Sequence, residues 1–221
     1  MHRFLLLALT LLAPLSAHAA AAGTRYLYLV RHGDYDSSAL GDPQAGPGLN
    51  ALGREQAVLV AARIAAFPIK FDTVVSSQLA RARETGDIIA ARLRQPVQRD
   101  ADLSETRPPG VGVPASMVSP TAEAQLQRAW ARYARPAPAG KVAHDLLVCH
   151  GNVIRWFLCR ALGADTHQWS RMEIGNSSIT IIEIMPDGST NLLLYNDTSH
   201  VPLGKQSWVD AIPDFAAPPA R

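Results

Sequence analysis

An α/β fold, a three-layer α/β/α sandwich around a mostly parallel central sheet, is what this 221-residue sequence predicts. Three observations carry it. Hydrophobic strand patterns alternate with helical ones along most of the chain, which argues for helices on both faces of a sheet. Three of the strands run into polar, cationic clusters, as strands do when their carboxyl ends line a ligand crevice. Two final strands joined by the turn Pro186-Asp187-Gly188 add an antiparallel edge.

The elements follow in order. Thr24–Val30 (TRYLYLV) is β-branched and aromatic and leads directly into Arg31-His32-Gly33. A Gly/Pro-rich surface loop occupies 41–48. Asn50 offers an N-cap for a helix whose face is Leu52, Leu59, Ala62 and Ala66, and Pro68 ends it. Phe71–Ser76 is a second strand, followed by a helix with Leu79, Ala82, Gly86, Ile89 and Leu93 on one side until Pro96. Residues 100–105 lead into Pro108–Pro114, an ordered loop or lid. Thr121–Tyr133 forms a third helix. Asp145–Cys149 is a third strand that delivers His150-Gly151-Asn152 to a helix with a face of Ile154, Phe157, Leu158, Ala161 and Leu162. Strands over Ser178–Met185 and Asn191–Tyr195 close the chain. One domain over 24–205 with a tail over 206–221 is expected.

Composition narrows the functional classes. The chain is 48% apolar and 18% charged, with mean hydropathy +0.01, an ordinary globular balance that excludes disordered, collagen-like and multi-span membrane proteins. Twenty-one basic against 19 acidic residues gives no bulk charge to hold nucleic acid or an anionic membrane. Two cysteines are too few for a disulfide scaffold or a four-cysteine metal site. Cys149 on a strand and Cys159 on the next helix read as buried free thiols. No His-Glu-x-x-His or aspartate cluster calls for a metal, and no cofactor is implied. Met1-His2-Arg3, the apolar run Phe4–Leu15 and Ala17-His18-Ala19 have the pattern of a secretory signal peptide over 1–19, with cleavage there or near Ala22. A periplasmic or secreted protein, free of the membrane once mature, is the expectation.

The chemistry gathers at the strand ends. Arg31-His32-Gly33, Ser76-Ser77 with Arg81, and His150-Gly151-Asn152 bring two histidines and two arginines to one place. That set suits a phosphoryl group: Arg makes bidentate charge-assisted bonds to phosphate oxygens, Gly33 and Gly151 allow close backbone approach, and a helix start near Asn152 points N–H groups at an anion. Arg83, beside Arg81, belongs on the solvated face of the helix. His144, His167 and His200 read as structural or surface residues, and the sequons at Asn176 and Asn196 as turn chemistry. Asp34 and Asp36 at the pocket mouth favour neutral or cationic phospho-substrates.

Taken together, Arg31-His32-Gly33, Ser77-x-Leu79-x-Arg81-Ala82-x-x-Thr85 and Cys149-His150-Gly151 resemble the signature of the histidine phosphatase superfamily, in its phosphoglycerate-mutase-like branch. Leu103-Ser104-Glu105, the run from Cys149 to Gly163, Asn176–Thr180 and Pro186-Asp187-Gly188 are similar to the mitochondrial phosphoglycerate-mutase-like serine/threonine protein phosphatases within it, and the similarity spans roughly 24–205. The resemblance implies a phosphoglycerate-mutase-like fold and a metal-independent phosphomonoester hydrolase that works through a phosphohistidine. His32 would be the nucleophile and Glu105 the general acid, then base. Arg31, Arg81 and His150 would bind phosphate, with Asn152 as a further donor. Either a phosphorylated small molecule or a phosphoprotein would be the substrate. A mutase-type phosphotransferase using the same histidine, and a non-catalytic phosphate-binding protein, are the competing readings.

Overall fold

The computed structural model describes residues 22–207. The expected signal peptide and all but two residues of the expected tail lie outside the described residues. In chain order the elements are β1 (Thr24–Arg31), α1 (Ala51–Ala65), β2 (Thr73–Ser76), α2 (Ala80–Leu93), β3 (Gln98–Arg99), α3 (Ala122–Tyr133), β4 (Val142–Cys149), α4 (Gly151–Ala161), β5 (Ile179–Ile184) and β6 (Thr190–Asp197). Six strands form one sheet in the order β3-β2-β4-β1-β5-β6. β1, β2, β3 and β4 pair in parallel, and β5 joins β1 antiparallel before turning back as β6.

Period-two alternation splits the core between the two faces. Leu27, Leu29, Val75, Leu147 and Cys149 face Leu126 and Ala129 of α3 and Ile154 and Phe157 of α4. Tyr28, Val30, Val74, Leu146 and Val148 face Val60, Ala61 and Ile64 of α1 and Ile89 and Ala90 of α2. Each fully buried aliphatic side chain in these layers contributes roughly 1.5–3 kcal/mol. Toward the other end of the strands, buried Asp145 accepts from Thr73 Oγ1 at 2.6 Å and pairs with Arg25, which ties β1, β2 and β4 together. Cys149 and Cys159 are both buried and free.

The structure corrects several sequence expectations. The buried face of α1 is Gly53, Gln56, Ala57, Val60, Ala61 and Ile64. Leu52 and Leu59 sit at its margin, and Ala62 and Ala66 are exposed. The helix is rotated this way because its first turn packs on the backbone after His32, where only small residues fit. Leu162 is exposed rather than part of the α4 face, since α4 ends at Ala161. β3 was not expected, and neither was the 3-10 turn Thr166–Arg171. The segment over 108–114 is an ordered loop: Trp169 Nε1 donates to Pro109 O at 2.9 Å, and Val111 N to His167 O at 3.0 Å.

Candidate active site

Strand register brings the three sequence clusters to one level. Arg31 lies opposite Cys149, and Ser76 opposite Val148. His32 and Ser77 then leave the sheet beside His150, with His32 N–H still donating to Cys149 O at 3.0 Å and Ser77 N–H to Val148 O at 2.9 Å. Alternation continues past the strand end: His32 extends the row of Tyr28 and Val30 toward α2, while Arg31 extends that of Leu27 and Leu29 toward α4.

Gly33 fixes the loop that follows. A Cβ on Gly33 would lie 2.3 Å from the Gly53 carbonyl oxygen, and one on Gly53 only 1.9 Å from that of Asp34. The close approach at Gly33 is therefore to α1, not to a ligand as the sequence suggested. Gly151 does border the site, since a Cβ there would lie 3.6 Å from Arg31 Nε. Asn176, Ser177 and Thr85 complete the clamp. Asn176 Nδ2 donates to His32 O at 3.0 Å, Ser177 N–H to His32 O at 3.2 Å, and Gly33 N–H to Thr85 Oγ1 at 3.1 Å.

The tautomer of His32 follows from its neighbours. Nδ1 lies 2.7 Å from the Gly33 carbonyl, an atom that can only accept, so Nδ1 carries the proton and Nε2 the lone pair. Arg81 Nε–H donates to that Nε2 at 3.2 Å. Burial first, then the charges of Arg31 and Arg81, hold the His32 imidazole well below its ordinary pKa, so it is neutral. The ring is 1% exposed. Its cover is the Arg81 side chain, which lies under the Tyr35 ring with the guanidinium carbon 4.5 Å from the ring centroid. A rotatable side chain, not backbone, guards the nitrogen.

The His150 ring centroid is 5.0 Å from that of His32. Its Nε2 lies 2.8 Å from Ser77 Oγ, which already accepts from Leu79 N–H at 3.1 Å. Ser77 Oγ also donates to Ser104 Oγ at 3.3 Å. His150 Nδ1 has no hydrogen-bond partner among the described residues. Burial, then His32, Arg81 and Arg31, keep this second imidazole neutral as well.

Glu105 follows the 3-10 turn Ala101–Leu103, whose Leu103 is buried and whose end is held by Gln125 Nε2 donating to Ser104 O at 2.7 Å. Burial raises its pKa above the usual carboxylate range, against the pull of Arg81, Arg31, Arg155 and the Asn152 backbone N–H. Six buried side-chain polar atoms among the described residues lack a hydrogen-bond partner, and three are here: Arg31 Nε, Glu105 Oε1 and His150 Nδ1. Buried polar groups are rarely left unpaired, so three together mark a place built for a polar ligand. Arg31, His32, Arg81, Glu105 and His150 thus meet at one locus. It holds two arginine cations, two neutral imidazoles and a carboxyl of raised pKa.

Asn152 departs from the expectation. Its Nδ2 donates to Thr106 O at 2.8 Å and its Oδ1 accepts from Arg155 at 2.6 Å, so both polar ends are engaged in holding the Glu105 loop against α4. Arg155 went unread in the sequence although it lies one helical turn beyond Gly151; it donates to Gly151 O and Met172 O and lies over Trp169. Asn176 is read in the sequence only as turn chemistry and part of a family-like stretch, and Tyr35 carries no motif. Arg83 is exposed, as expected. His144 donates to or accepts from Tyr28 OH at 3.1 Å, His167 pairs with Asp165, and His200 Nε2 contacts Ser177 O, all away from the cluster. Both acidic residues at the mouth are tied down locally: Asp34 accepts from Asn50 Nδ2 at 2.7 Å, and Asp36 from Ser38 N–H and Oγ.

The family model for the histidine phosphatase superfamily (branch 1) matches residues 27–140 and 117–198, which include every residue of the cluster. The chain belongs to that superfamily. It is a histidine phosphatase. Among curated relatives, the mitochondrial serine/threonine-protein phosphatase PGAM5 of Rattus norvegicus is 34% identical over 197 residues, spanning 85% of this chain and 68% of its own. The Caenorhabditis elegans Pgam5 is 36% identical over 198 residues with the same coverage. Among solved structures, the phosphoglycerate mutase of Plasmodium falciparum superposes with a TM-score of 0.58 at 25% identity, over 81% of this chain and 95% of the other. A mycobacterial glucosyl-3-phosphoglycerate phosphatase reaches 0.64 at 23% identity, over 79% and 100%. The fold of this histidine phosphatase is the phosphoglycerate-mutase-like one, with antiparallel C-terminal strands.

Ser77→Ala tests the contact between Ser77 and His150. It is expected to lower kcat/KM on an aryl phosphate by up to about tenfold, the worth of one directed hydrogen bond. In a His150→Ala background the same change is expected to have no further effect, because the two residues act as one unit. Additive losses in the double variant would show that Ser77 does not work through His150.

Proposed function

We propose that the enzyme hydrolyses phosphoserine and phosphothreonine esters through a phosphohistidine formed on His32. The observation that supports this most is the meeting of a neutral His32, its Nε2 lone pair free of a proton, with Arg81, Arg31, His150 and Glu105, three of whose buried polar atoms stand unpartnered. A phosphoryl oxygen accepts a charge-assisted bond from Arg81 more strongly than an imidazole nitrogen does, so it would draw the guanidinium off Nε2. Nε2 then attacks phosphorus. The N–P bond forms as the P–O bond to the alcohol breaks, and the leaving oxygen takes the proton of Glu105. Charge on the equatorial oxygens is met by Arg31, Arg81 and His150. In the second step water attacks phosphorus and gives its proton to the Glu105 carboxylate. The N–P bond breaks, releasing inorganic phosphate and restoring the neutral imidazole.

Every cation this sequence of steps uses is a side chain, so no metal is required. The protein-phosphatase part rests on the relatives named above, which are 34% and 36% identical to this chain over the 197 and 198 residues aligned. Export rests on the pattern of residues 1–19. The test is hydrolysis of phosphoserine and phosphothreonine peptides in the presence of EDTA, with p-nitrophenyl phosphate as reference. Turnover of both is expected. Turnover of the aryl ester alone would overturn the protein-phosphatase reading, and loss of all activity in EDTA would overturn metal independence.

A further inference from the structure

A polar depression beside the site is not part of the cluster. A surface pocket of about 400 Å³ is lined by Asp42, Gln44, Ala45, Gln78, Arg83 and Arg99. Three links join it to the catalytic locus. Gln78 follows Ser77, the partner of His150. Arg83 lies two positions after Arg81 on α2. Ala80 N–H donates to Ala45 O at 2.9 Å, and a Cβ on Gly46 would lie 3.7 Å from an Arg81 guanidinium nitrogen, so the loop bearing Asp42 and Ala45 lies against Arg81 itself.

The pocket's charges are arranged for an anion. Arg99 is anchored by Ser76 Oγ and Asp87, which fixes its guanidinium at the wall. The Asp42 carboxylate closes its own turn, accepting from Gln44 N–H and Ala45 N–H at 2.8 Å each. Arg83 is exposed and makes no hydrogen bond among the described residues, nor do the side-chain amides of Gln44 and Gln78. Arg99 is paired with Asp87, and Asp42 spends its acceptors on its own turn and meets Arg83 through charge alone. Arg83 is thus the cation left without a hydrogen-bond partner among the described residues, beside the donors of Gln44 and Gln78. We infer that this pocket is a recognition subsite for an acidic side chain within two residues of the phosphorylated one, and that Arg83 is its principal contact. The inference rests on the protein-phosphatase reading and refines its substrate class. It reverses the preference that Asp34 and Asp36 suggest in the sequence, because Asp34 is engaged by Asn50 at the start of α1 and Asp36 by its own turn, whereas Arg83 has no hydrogen-bond partner among the described residues.

Arg81 and Arg83, two apart on α2, project to different sides of the helix. The route from the phosphate to the pocket therefore runs across the 42–46 loop, which meets Arg81 at Gly46 and lines the pocket with Asp42, Gln44 and Ala45.

The experiment compares kcat/KM for phosphopeptides that differ only in Glu, Gln or Lys at positions one or two away from the phosphoserine, with the native enzyme and with Arg83→Glu. For the native enzyme a Glu-to-Gln ratio of about three to five is expected at one or more of these positions, typical of a partly exposed ion pair, and it should shrink toward one in high salt. In Arg83→Glu the ratio is expected to fall to one or below, with Lys peptides now preferred. Equal rates for all peptides on the native enzyme, or a ratio that Arg83→Glu leaves unmoved, would overturn the subsite while leaving the protein-phosphatase reading standing. Failure of every peptide while p-nitrophenyl phosphate is hydrolysed would overturn both.

Discussion

His32→Ala is expected to reduce kcat on any phosphomonoester by about 10⁴-fold or more, because it removes the atom that bonds to phosphorus. No neighbour can substitute. His150 is 0% exposed, and its Nε2 is tied to Ser77. The change also frees Arg81 Nε, so phosphate binding should persist or tighten while turnover disappears. That separation distinguishes loss of the nucleophile from collapse of the site. A variant that lost activity and phosphate affinity together, with a disturbed circular dichroism spectrum, would show only that the imidazole holds the loop in place.

Glu105→Gln is expected to lower kcat on phosphoserine peptides by about 10²–10⁴-fold, the usual worth of general acid–base catalysis. The loss on p-nitrophenyl phosphate should be smaller in the first step, because nitrophenolate leaves without a proton. Slow hydrolysis of the phosphoenzyme would then appear as a burst of nitrophenol. The pH profile carries the sign. His32 must be neutral, so activity falls as pH drops below its pKa, which the fold has already lowered. Glu105 must be protonated, so activity falls as pH rises above its pKa, which burial has raised. The native enzyme should therefore show a bell with its alkaline limb set by Glu105, and in Glu105→Gln that limb should vanish. Retention of the alkaline limb in the variant would remove Glu105 from the role.

The site was more legible in the sequence than the elements around it. Arg31, His32 and His150 could be placed because each sits on or next to a strand end, where register alone sets their level, and Arg81 because it falls in the first turn of the helix that follows β2. Glu105 was readable only as part of a short motif; what makes it an acid is burial behind α3 and α4, a tertiary effect. Asn152 misled because its position beside His150 suggests a ligand, whereas Thr106 and Arg155, both distant or unremarked in sequence, engage both of its ends. The role of Asn176 was hidden for the same reason, since it reaches His32 O across 144 residues, and the stacking of Tyr35 on Arg81 is likewise a contact that no local pattern encodes. The face of α1 was misassigned because periodicity was followed through its leucines. The fold instead buries Gly53, Gln56 and Ala57, since the neighbour they meet is the Gly33 backbone rather than a side chain. β3 is two exposed polar residues and has no hydrophobic signature to read.

Of the claims made for this histidine phosphatase, the covalent bond between phosphorus and the 32 imidazole is the one on which the others depend. Rapid alkaline quench of the Glu105→Gln enzyme during turnover of p-nitrophenyl phosphate, followed by peptide mapping in the mass spectrometer, tests it directly. One phosphate per chain on Nε2 of His32, labile in acid and stable in base, is the expected result. A burst without any adduct, or phosphate found on His150 or a serine, would contradict it.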